Sequence, residues 1–448
     1  MELETNKKNS KGNQILKELF DENSMEEIDT FFKYENIEPG IICGFGKIKG
    51  APAYAFAQDL DLSGGMMSKS QAFKLIRLYS QAVKTGNPIL GIFNSKGASL
   101  EDKNQALGAY AKVSKECCRL SGVVPQISIV TGTCLGAMAS IVCCSDIVIM
   151  TKNGNLGANT GGENSGAESA YLQGTADIIA EDEHEAIQKA KKLITIIPSN
   201  NLCGNKTVSF SEPKNSSVLN LNKKDKYELI NAIFDYKSFI ELKQDFGKHF
   251  IIGLASIRGR TCGIICSNPA VLKSADYDSC SKVAKFIMFC DSFSIPLITL
   301  ADTQKFSCAK GASKLCCAYS NSTTVKICVV TGEIYSGNSY ISLCNNETQD
   351  LVICWDISSI SALNPQTAVE ILWKDKLKGN GLDFKDKRGR LVKEYMKTEA
   401  NAFKACENGF ANDVISPNET RNKLNLALEF LENKRERNLP KKHANINI

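Results

Sequence analysis

Histidine is nearly absent. The chain of 448 residues holds three, His184, His249 and His443, far apart in sequence. That scarcity argues against a Ser-His-Asp triad and against a zinc site, so no metal is expected. Other catalytic signatures are missing as well. There is no GxSxG elbow, no HExxH, no P-loop and no GxGxxG after a strand. An excess of one charge is also lacking: Lys plus Arg number 54 and Asp plus Glu 49, a net charge of +5. Over this length that is too little to draw in nucleic acid by bulk field, and no nucleic-acid partner is expected. With 32 glycines and 11 prolines, collagen-like and low-complexity classes are excluded. The polar start, Met1 to Gln14, reads as neither a signal nor a transit peptide.

Cysteine is the exception to this poverty, with 18 residues. No CxxC occurs, and Cys262 to Cys266 is one residue too wide for a thioredoxin motif. The pairs Cys117-Cys118, Cys143-Cys144 and Cys316-Cys317 lie in apolar or helical stretches. Adjacent residues there rarely reach disulfide geometry. The expectation is a cytoplasmic chain that uses Cys as a small buried apolar residue. One apolar run needs a decision. Ile127 to Met150 carries a single charge, Asp146, and Gly132 to Gly136 reads GxxxG. Thr131-Gly132-Thr133 interrupts it as a turn would, and its end is strand-like. Strand, glycine turn, buried helix and second strand are expected, with no transmembrane segment.

The chain repeats itself. Gly44-Phe-Gly-Lys-Ile-Lys-Gly50 recurs as Gly253-Leu-Ala-Ser-Ile-Arg-Gly259, each reading as strand, tight turn, strand. A helix follows in both copies. In the first, Ala72, Leu75, Ile76, Tyr79, Ala82 and Val83 fall at helical spacing and Gly86 sits at the C-cap. In the second, Val283, Phe286, Ile287, Cys290 and Phe293 do the same. The apolar runs after Pro88 and Pro296 then read as buried parallel strands. The fold class is therefore α/β, two copies of one β/α unit with mostly parallel sheets. The expected domains are residues 1–222 and 223–448, with polar Asn205 to Lys226 as the linker. Ser416, Pro417 and Glu419 predict a capped last helix with Leu424, Ala427, Leu428 and Leu431 on its apolar face. The basic tail from Lys434 is expected to be solvated and partly loose.

What recurs in place of catalytic side chains is a strand that ends in a glycine-bearing turn and runs into a helix. It appears as Asn94-Ser-Lys-Gly97-Ala98, Gly132-Thr-Cys-Leu-Gly136-Ala137 and Gly332-Glu-Ile-Tyr-Ser336-Gly337-Asn338. Such a turn presents backbone N–H groups at a helix N-terminus, and two of them can hold an oxyanion. The simpler reading is that these glycines only permit tight turns. The turn's occurrence at matched places in both halves suggests two sites of one kind.

These residues also carry a resemblance. The chain resembles the carboxyltransferase subunits of biotin-dependent acyl-CoA carboxylases and decarboxylases, the propionyl-CoA carboxylase β and methylmalonyl-CoA decarboxylase α family. The stretches that match include Leu19-Phe-Asp-Glu-Asn-Ser-Met-Glu-Glu-Ile-Asp29, Gln58-Asp59 with Gly64-Gly65, Ser121-Gly-Val-Val-Pro-Gln-Ile127 and Pro198-Ser-Asn-Asn201. Phe289-Cys-Asp-Ser-Phe-Ser-Ile-Pro296 and Gly409-Phe-Ala-Asn-Asp-Val-Ile415 follow in the family's order. The resemblance implies two tandem crotonase-like domains of the ClpP/crotonase superfamily, the first for acyl-CoA and the second for biotin. It implies that biotin, borne by a separate biotin carboxyl carrier protein, acts as the base, so the protein mainly supplies position and oxyanion donors. Gly136 and Ala137 match the turn for the thioester enolate oxygen, and Gly337 and Asn338 the turn for the biotin ureido oxygen. Gly97 and Ala98, with Gly132 and Ser336, match the substrate-lining positions. A biotin carboxylase or a membrane decarboxylase pump subunit is implied as a further partner, and a dimer-based homo-oligomer as the assembly.

The pattern is not kept throughout. The family's double glycine is Gly136-Ala137 in the first half and Ser336-Gly337-Asn338 in the second. Its Gly-Gly-Ala-Arg is Lys96-Gly97-Ala98-Ser99, and a Gly-rich loop after Asp302 is missing. The acyl group and the direction of transfer stay open. Two other readings compete: a non-catalytic paralogue, and another crotonase-type enzyme with Glu163 or Glu168 as its acid or base.

Overall fold

The computed structural model describes residues 10–159, 164–215, 225–377, 382–443 and 445. The chain divides into two compact units, Met1–Lys206 and Thr207–Ile448. The 222/223 boundary expected from the sequence lies outside the described residues.

The first unit runs α1 (Lys11–Leu19), β1 (Glu26–Ile28), β2 (Ile41–Ile48), β3 (Ala51–Gln58), α2 (Lys69–Thr85), β4 (Ile89–Phe93), α3 (Ala106–Leu120) and β5 (Gln126–Val130). It continues through β6 (Thr133–Leu135), α4 (Ala137–Cys143), β7 (Ile147–Thr151), β8 (Asn155–Gly157), α5 (Ala167–Leu172), β9 (Ile178–Ala180) and α6 (Glu183–Ile196). Its main sheet has the order β1-β2-β3-β4-β5-β7-β9, antiparallel up to β3 and parallel beyond. A small parallel pair, β6 with β8, stands outside it.

The second unit runs α7 (Lys226–Ile233), β10 (Ile240–Leu242), β11 (Phe250–Ile257), β12 (Arg260–Ser267), α8 (Tyr277–Ser292), β13 (Leu297–Ala301), α9 (Ala309–Asn321), β14 (Lys326–Val330) and β15 (Glu333–Ile334). Then come α10 (Gly337–Ser339), β16 (Leu351–Trp355), β17 (Ser359–Ile360), α11 (Pro365–Leu372), α12 (Leu382–Thr398), α13 (Ala402–Glu407), β18 (Asp413–Ile415) and α14 (Thr420–Leu431). Its sheet, β10-β11-β12-β13-β14-β16-β18, repeats the first strand for strand, and β15 with β17 repeats the small pair. The fold class read from the repeat is therefore the one observed.

The local signals explain these elements. β4, β5, β7, β13 and β14 are buried at every residue, as central parallel strands require. Ile127 to Met150 resolves into β5, β6, α4 and β7, and no helix among the described residues is long and apolar enough to cross a membrane. α2 ends on Gly86 at φ 65°, whose N–H reaches Ala82 O. The Ser416–Glu419 capping box forms with Pro417 inside it, heading a short 3₁₀ turn that leads into α14.

Within the polar stretch from Asn205 to Lys226, Val208 N donates to Gly259 O at 2.8 Å, and Lys226 is buried in α7. The expectation of a merely solvated tail needs correction at particular described residues, Lys434 and Asn438 among them. Lys434 Nζ pairs with Asp350 at 2.9 Å, and Asn438 Nδ2 donates to Asn321 O at 2.6 Å. Asp350 also accepts from Lys326 N at 2.8 Å, so the charge of Lys434 is paired and not simply solvated.

The repeat extends to side-chain chemistry. Each hairpin turns through two residues at positive φ, Lys49-Gly50 at 51° and 81° and Arg258-Gly259 at 47° and 80°. One aspartate caps each turn. Asp21 takes the N–H groups of Lys49 and Gly50 at 2.8 and 2.7 Å, and Asp235 those of Arg258 and Gly259 at 2.9 and 2.8 Å. The Gly50 N–H bond, ahead of that from Lys49, holds the Asp21 carboxyl below its usual range. Asp235 is 4% exposed and also bonds Arg421 Nη2 at 2.7 Å. A buried lysine repeats as well. Lys74 on α2 reaches Ile41 O at 3.4 Å, and Lys282 on α8 reaches Lys243 O and Phe246 O at 2.8 Å each.

Asp235→Asn is expected to cost about 1–3 kcal/mol, because it removes the buried carboxylate that pairs with Arg421 and leaves that guanidinium only the more exposed Glu212. Asp21→Asn, at a more open site, should cost only about 1 kcal/mol. Urea unfolding of the two variants checks the contrast. The Asp21 contribution should be fully present above the ordinary carboxylate range and be lost as pH falls through the depressed folded value. Burial drives the Lys282 ammonium down to about 7. The unfolded chain then binds more protons from there up to the ordinary lysine range, so stability should rise with pH across that window. Lys282→Met should flatten that rise in melts taken from pH 6 to pH 10.

Candidate active site

Each unit builds its turns at the carboxyl ends of adjacent parallel strands, where open α/β sheets place ligands. In the first unit, β4 ends at Phe93 and the chain passes through Asn94 to Ala98. The Asn94 side chain accepts from Thr133 N at 3.3 Å, and Ser95 N donates to Thr133 O at 2.8 Å. These bonds clasp the β4 turn to the β5 turn. Gly132 is required by the clasp, since a Cβ there would lie 2.3 Å from Asn94 Oδ1. The second unit repeats the device with a charge. Asp302, just past β13, accepts from Glu333 N at 3.0 Å, and a Cβ on Gly332 would lie 2.1 Å from Asp302 Oδ1. The other Asp302 oxygen pairs with buried Lys226 Nζ at 2.8 Å.

The predicted residues fall as follows. Gly136 caps α4 at φ 65° and ψ −135°, a conformation for glycine alone, and its own N–H is spent on Gly157 O at 2.8 Å. The first intrahelical bond of α4 is Ser140 N to Gly136 O, so the exposed Ala137 N–H precedes the helix ladder and points outward. Gly97, at φ 111°, donates to Ser95 Oγ at 3.1 Å. Ala98 forms a parallel bridge with Met67, through Met67 N to Gly97 O and Ser99 N to Met67 O. That pattern turns the N–H of Ala98 to the opposite side, and Ala98 is exposed. Contrary to the expectation, this turn does not run into a helix, because the Met67 bridge holds the chain extended before α3. In the first unit the structure brings the Ala98 and Ala137 turns together through the Asn94 clasp.

In the second unit Ser336 caps α10, its Oγ accepting from Ser339 N at 3.1 Å. Gly337 and Asn338 are the first two helical residues and both are exposed. A Cβ on Gly337 would meet nothing within 4 Å, so the space beside its Cα is open. Next to Asp302 in the chain, Thr303 Oγ1 joins Ser267 Oγ and His249 Nε2 by 2.9 Å bonds, with His249 Nδ1 on Leu272 O. Burial holds His249 below its usual range. Tyr335 is buried beside Asp302 and Glu333, and its phenol is pushed up to about 12. Glu168 is exposed at the start of α5 and bonds none of the turn residues, and Glu163 lies outside the described residues.

Asn94, Asp302 and Lys226 were not singled out from the sequence as site residues. The signal for two of them was present: carrying the Pro88/Pro296 match forward through the strand sets Asn94 opposite Asp302. Nothing local marks Lys226, which reaches Asp302 only because α7 packs against the sheet.

Comparison with known proteins agrees with this architecture. The family model described as the carboxyl transferase domain matches residues 8–446. The methylmalonyl-CoA decarboxylase α subunit of Veillonella parvula is 31% identical, over 96% of this chain and 92% of that protein. The methylmalonyl-CoA carboxyltransferase 12S subunit of Propionibacterium freudenreichii subsp. shermanii is 30% identical, over 99% and 93%. A solved transcarboxylase 12S, described as a hexamer assembly with methylmalonyl-coenzyme A and methylmalonic acid bound, matches at TM-score 0.90 and 28% identity. It covers 100% of this chain and 94% of that one.

Asn94→Ala should leave stability within about 1 kcal/mol, since it loses one hydrogen bond at a partly open site. Asp302→Asn keeps the bond to Glu333 N but strips Lys226 of its counter-charge, and should cost about 3–5 kcal/mol. Thermal melts of both variants check the asymmetry of the two clasps.

Proposed function

The chain belongs to the carboxyl transferase family, the carboxyltransferases of biotin-dependent acyl-CoA carboxylases and decarboxylases, and from that premise we propose that it moves a carboxyl group between biotin on a separate carrier protein and the α-carbon of an acyl-CoA. The observation that carries this reading is the pair of matched turns. Each follows the same strand of its sheet and places exposed residues at the start of a helix, in support of backbone N–H donors in place of a titrating side chain.

In the first unit the N–H groups of Ala98 and Ala137 hold the thioester oxygen, on which negative charge grows when the α-carbon gains or loses its carboxyl group. Such donors are fixed before the reaction, so they stabilise that charge without reorganising. Gly97, Gly132 and Gly136 hold the two turns in place. In the second unit the N–H groups of Gly337 and Asn338, with Ser336 capping them, hold the ureido oxygen of biotin. The open space beside the Gly337 Cα fits a group approaching that closely. Bound biotin supplies the base and the seat of the transferred carboxyl group.

The propionyl and methylmalonyl pair is the proposed acyl chemistry, in line with the names of the relatives. A biotin carboxyl carrier protein is the proposed partner, with a biotin carboxylase or a membrane pump subunit completing the system. A dimer-based homo-oligomer in the cytoplasm is the proposed form.

The test is decarboxylation of a panel of malonyl-type CoA thioesters by the purified chain, with and without free biotin. Biotin-dependent loss of carbon dioxide from methylmalonyl-CoA is expected, and no biotin-dependent turnover from a folded protein would overturn the reading. Gly337→Pro isolates the second turn. Pro suits the first position of a helix, and Ser336 at φ −170° and ψ 157° accepts a following Pro, so the fold should be kept. One donor is removed, and turnover should fall by on the order of 10²–10³.

A further inference from the structure

The C-terminal ends of α3 and α4 bring two thiols together on the surface of the first unit. Cys118 Sγ lies 3.6 Å from Cys144 Sγ. Cys118 is exposed and Cys144 partly so. They come from different vicinal pairs; in the first the helix buries one member and exposes the other, and in the second Cys143 is exposed beside the partly exposed Cys144. Cys117 turns inward, its Sγ 3.2 Å from Gln126 Oε1, and burial pushes that thiol up to about 12. Cys118, one residue on and about 100° round the helix, faces out. Cys144 caps the C-terminal end of α4, and its Sγ–H bonds Ser140 O at 3.3 Å.

We propose that Cys118 and Cys144 are a two-electron oxidation site that takes a peroxide and closes a reversible disulfide between α3 and α4. The pair has what the chemistry needs, an exposed sulfur to meet the oxidant and a second sulfur already in contact. In the first step the Cys118 thiolate attacks one peroxide oxygen. The O–O bond breaks, Cys118 becomes a sulfenic acid, and the departing hydroxide takes a proton. In the second, the Cys144 thiolate attacks the Cys118 sulfur, the S–S bond forms and the S–O bond breaks, releasing a second water. Two thiols and one hydrogen peroxide give one disulfide and two waters, and a dithiol reductant reverses the change. The buried cysteines do not compete, because a thiol inside the sheet neither meets the oxidant nor ionises. The site is tied to the proposed function only through the chain, since α4 carries Ala137 at its other end. The oxidation chemistry does not rest on that reading.

The experiment treats the full chain with hydrogen peroxide, quenches it, alkylates the remaining thiols and maps peptides by mass spectrometry. Loss of two of the 18 thiols as a Cys118–Cys144 cross-link, restored by dithiothreitol, is the expected result. Cys118→Ser and Cys144→Ser should each abolish the cross-link. Cys144→Ser should instead leave Cys118 as a sulfenic acid that dimedone traps. A cross-link of Cys118 to Cys143 or another cysteine would overturn the assignment. So would oxidation of Cys118 with no cross-link, or equal thiol loss in wild type and both variants. Both substitutions are at the surface, and melts of the reduced proteins establish that they fold.

Discussion

Two turns in this protein are shaped by a side-chain oxygen that stands where a Cβ would be. Asn94 fills the space beside Gly132, and Asp302 fills it beside Gly332, each accepting the next backbone N–H. That contact joins the ends of neighbouring strands. It adds to the backbone bonds Thr131 N to Phe93 O and Thr331 N to Ala301 O, which tie the same turns to the strands beside them. Electrostatic stabilisation by backbone donors depends on such preorganisation, because donors that must first be aimed lose much of their advantage.

The two clasps differ in charge, and the difference follows from what packs behind them. Asn94 is neutral and faces a partly open turn. Asp302 is a carboxylate and meets Lys226, a lysine buried in α7. A buried ammonium needs a counter-charge, and a carboxylate beside a glycine turn needs a donor, so each satisfies the other. The same logic separates Asp21 from Asp235. Both cap a hairpin turn, but only the second is sealed under Arg421. The repeat preserves hydrogen-bond geometry at these places while the halves diverge in charge.

The departures from the family pattern read differently once the turns are seen. Gly136 keeps a conformation closed to other residues, so the change from a double glycine to Gly136-Ala137 falls on the position that tolerates a side chain. In the second unit, Ser336 and Asn338 flank Gly337 in a short helical turn that needs no positive φ. Backbone N–H groups belong to every residue but proline, and a turn can change its side chains and keep its donors.

Much of the architecture was legible in the sequence. The repeat, the apolar runs after Pro88 and Pro296, the helix closed by Gly86 and the capping box at Ser416 are local patterns, and local patterns follow from backbone and side-chain preferences over a few residues. The positions of the glycine turns were legible too. Which of their N–H groups point outward was not. Gly136 spends its N–H on Gly157, and Ala98 is turned outward by a bridge to Met67, contacts between residues far apart in sequence. The Lys226 and Asp302 pair, the anchoring of the tail through Lys434 and the meeting of Cys118 with Cys144 are of the same kind. They exist only because strands cross over and helices pack on them, and no short window of sequence contains both partners.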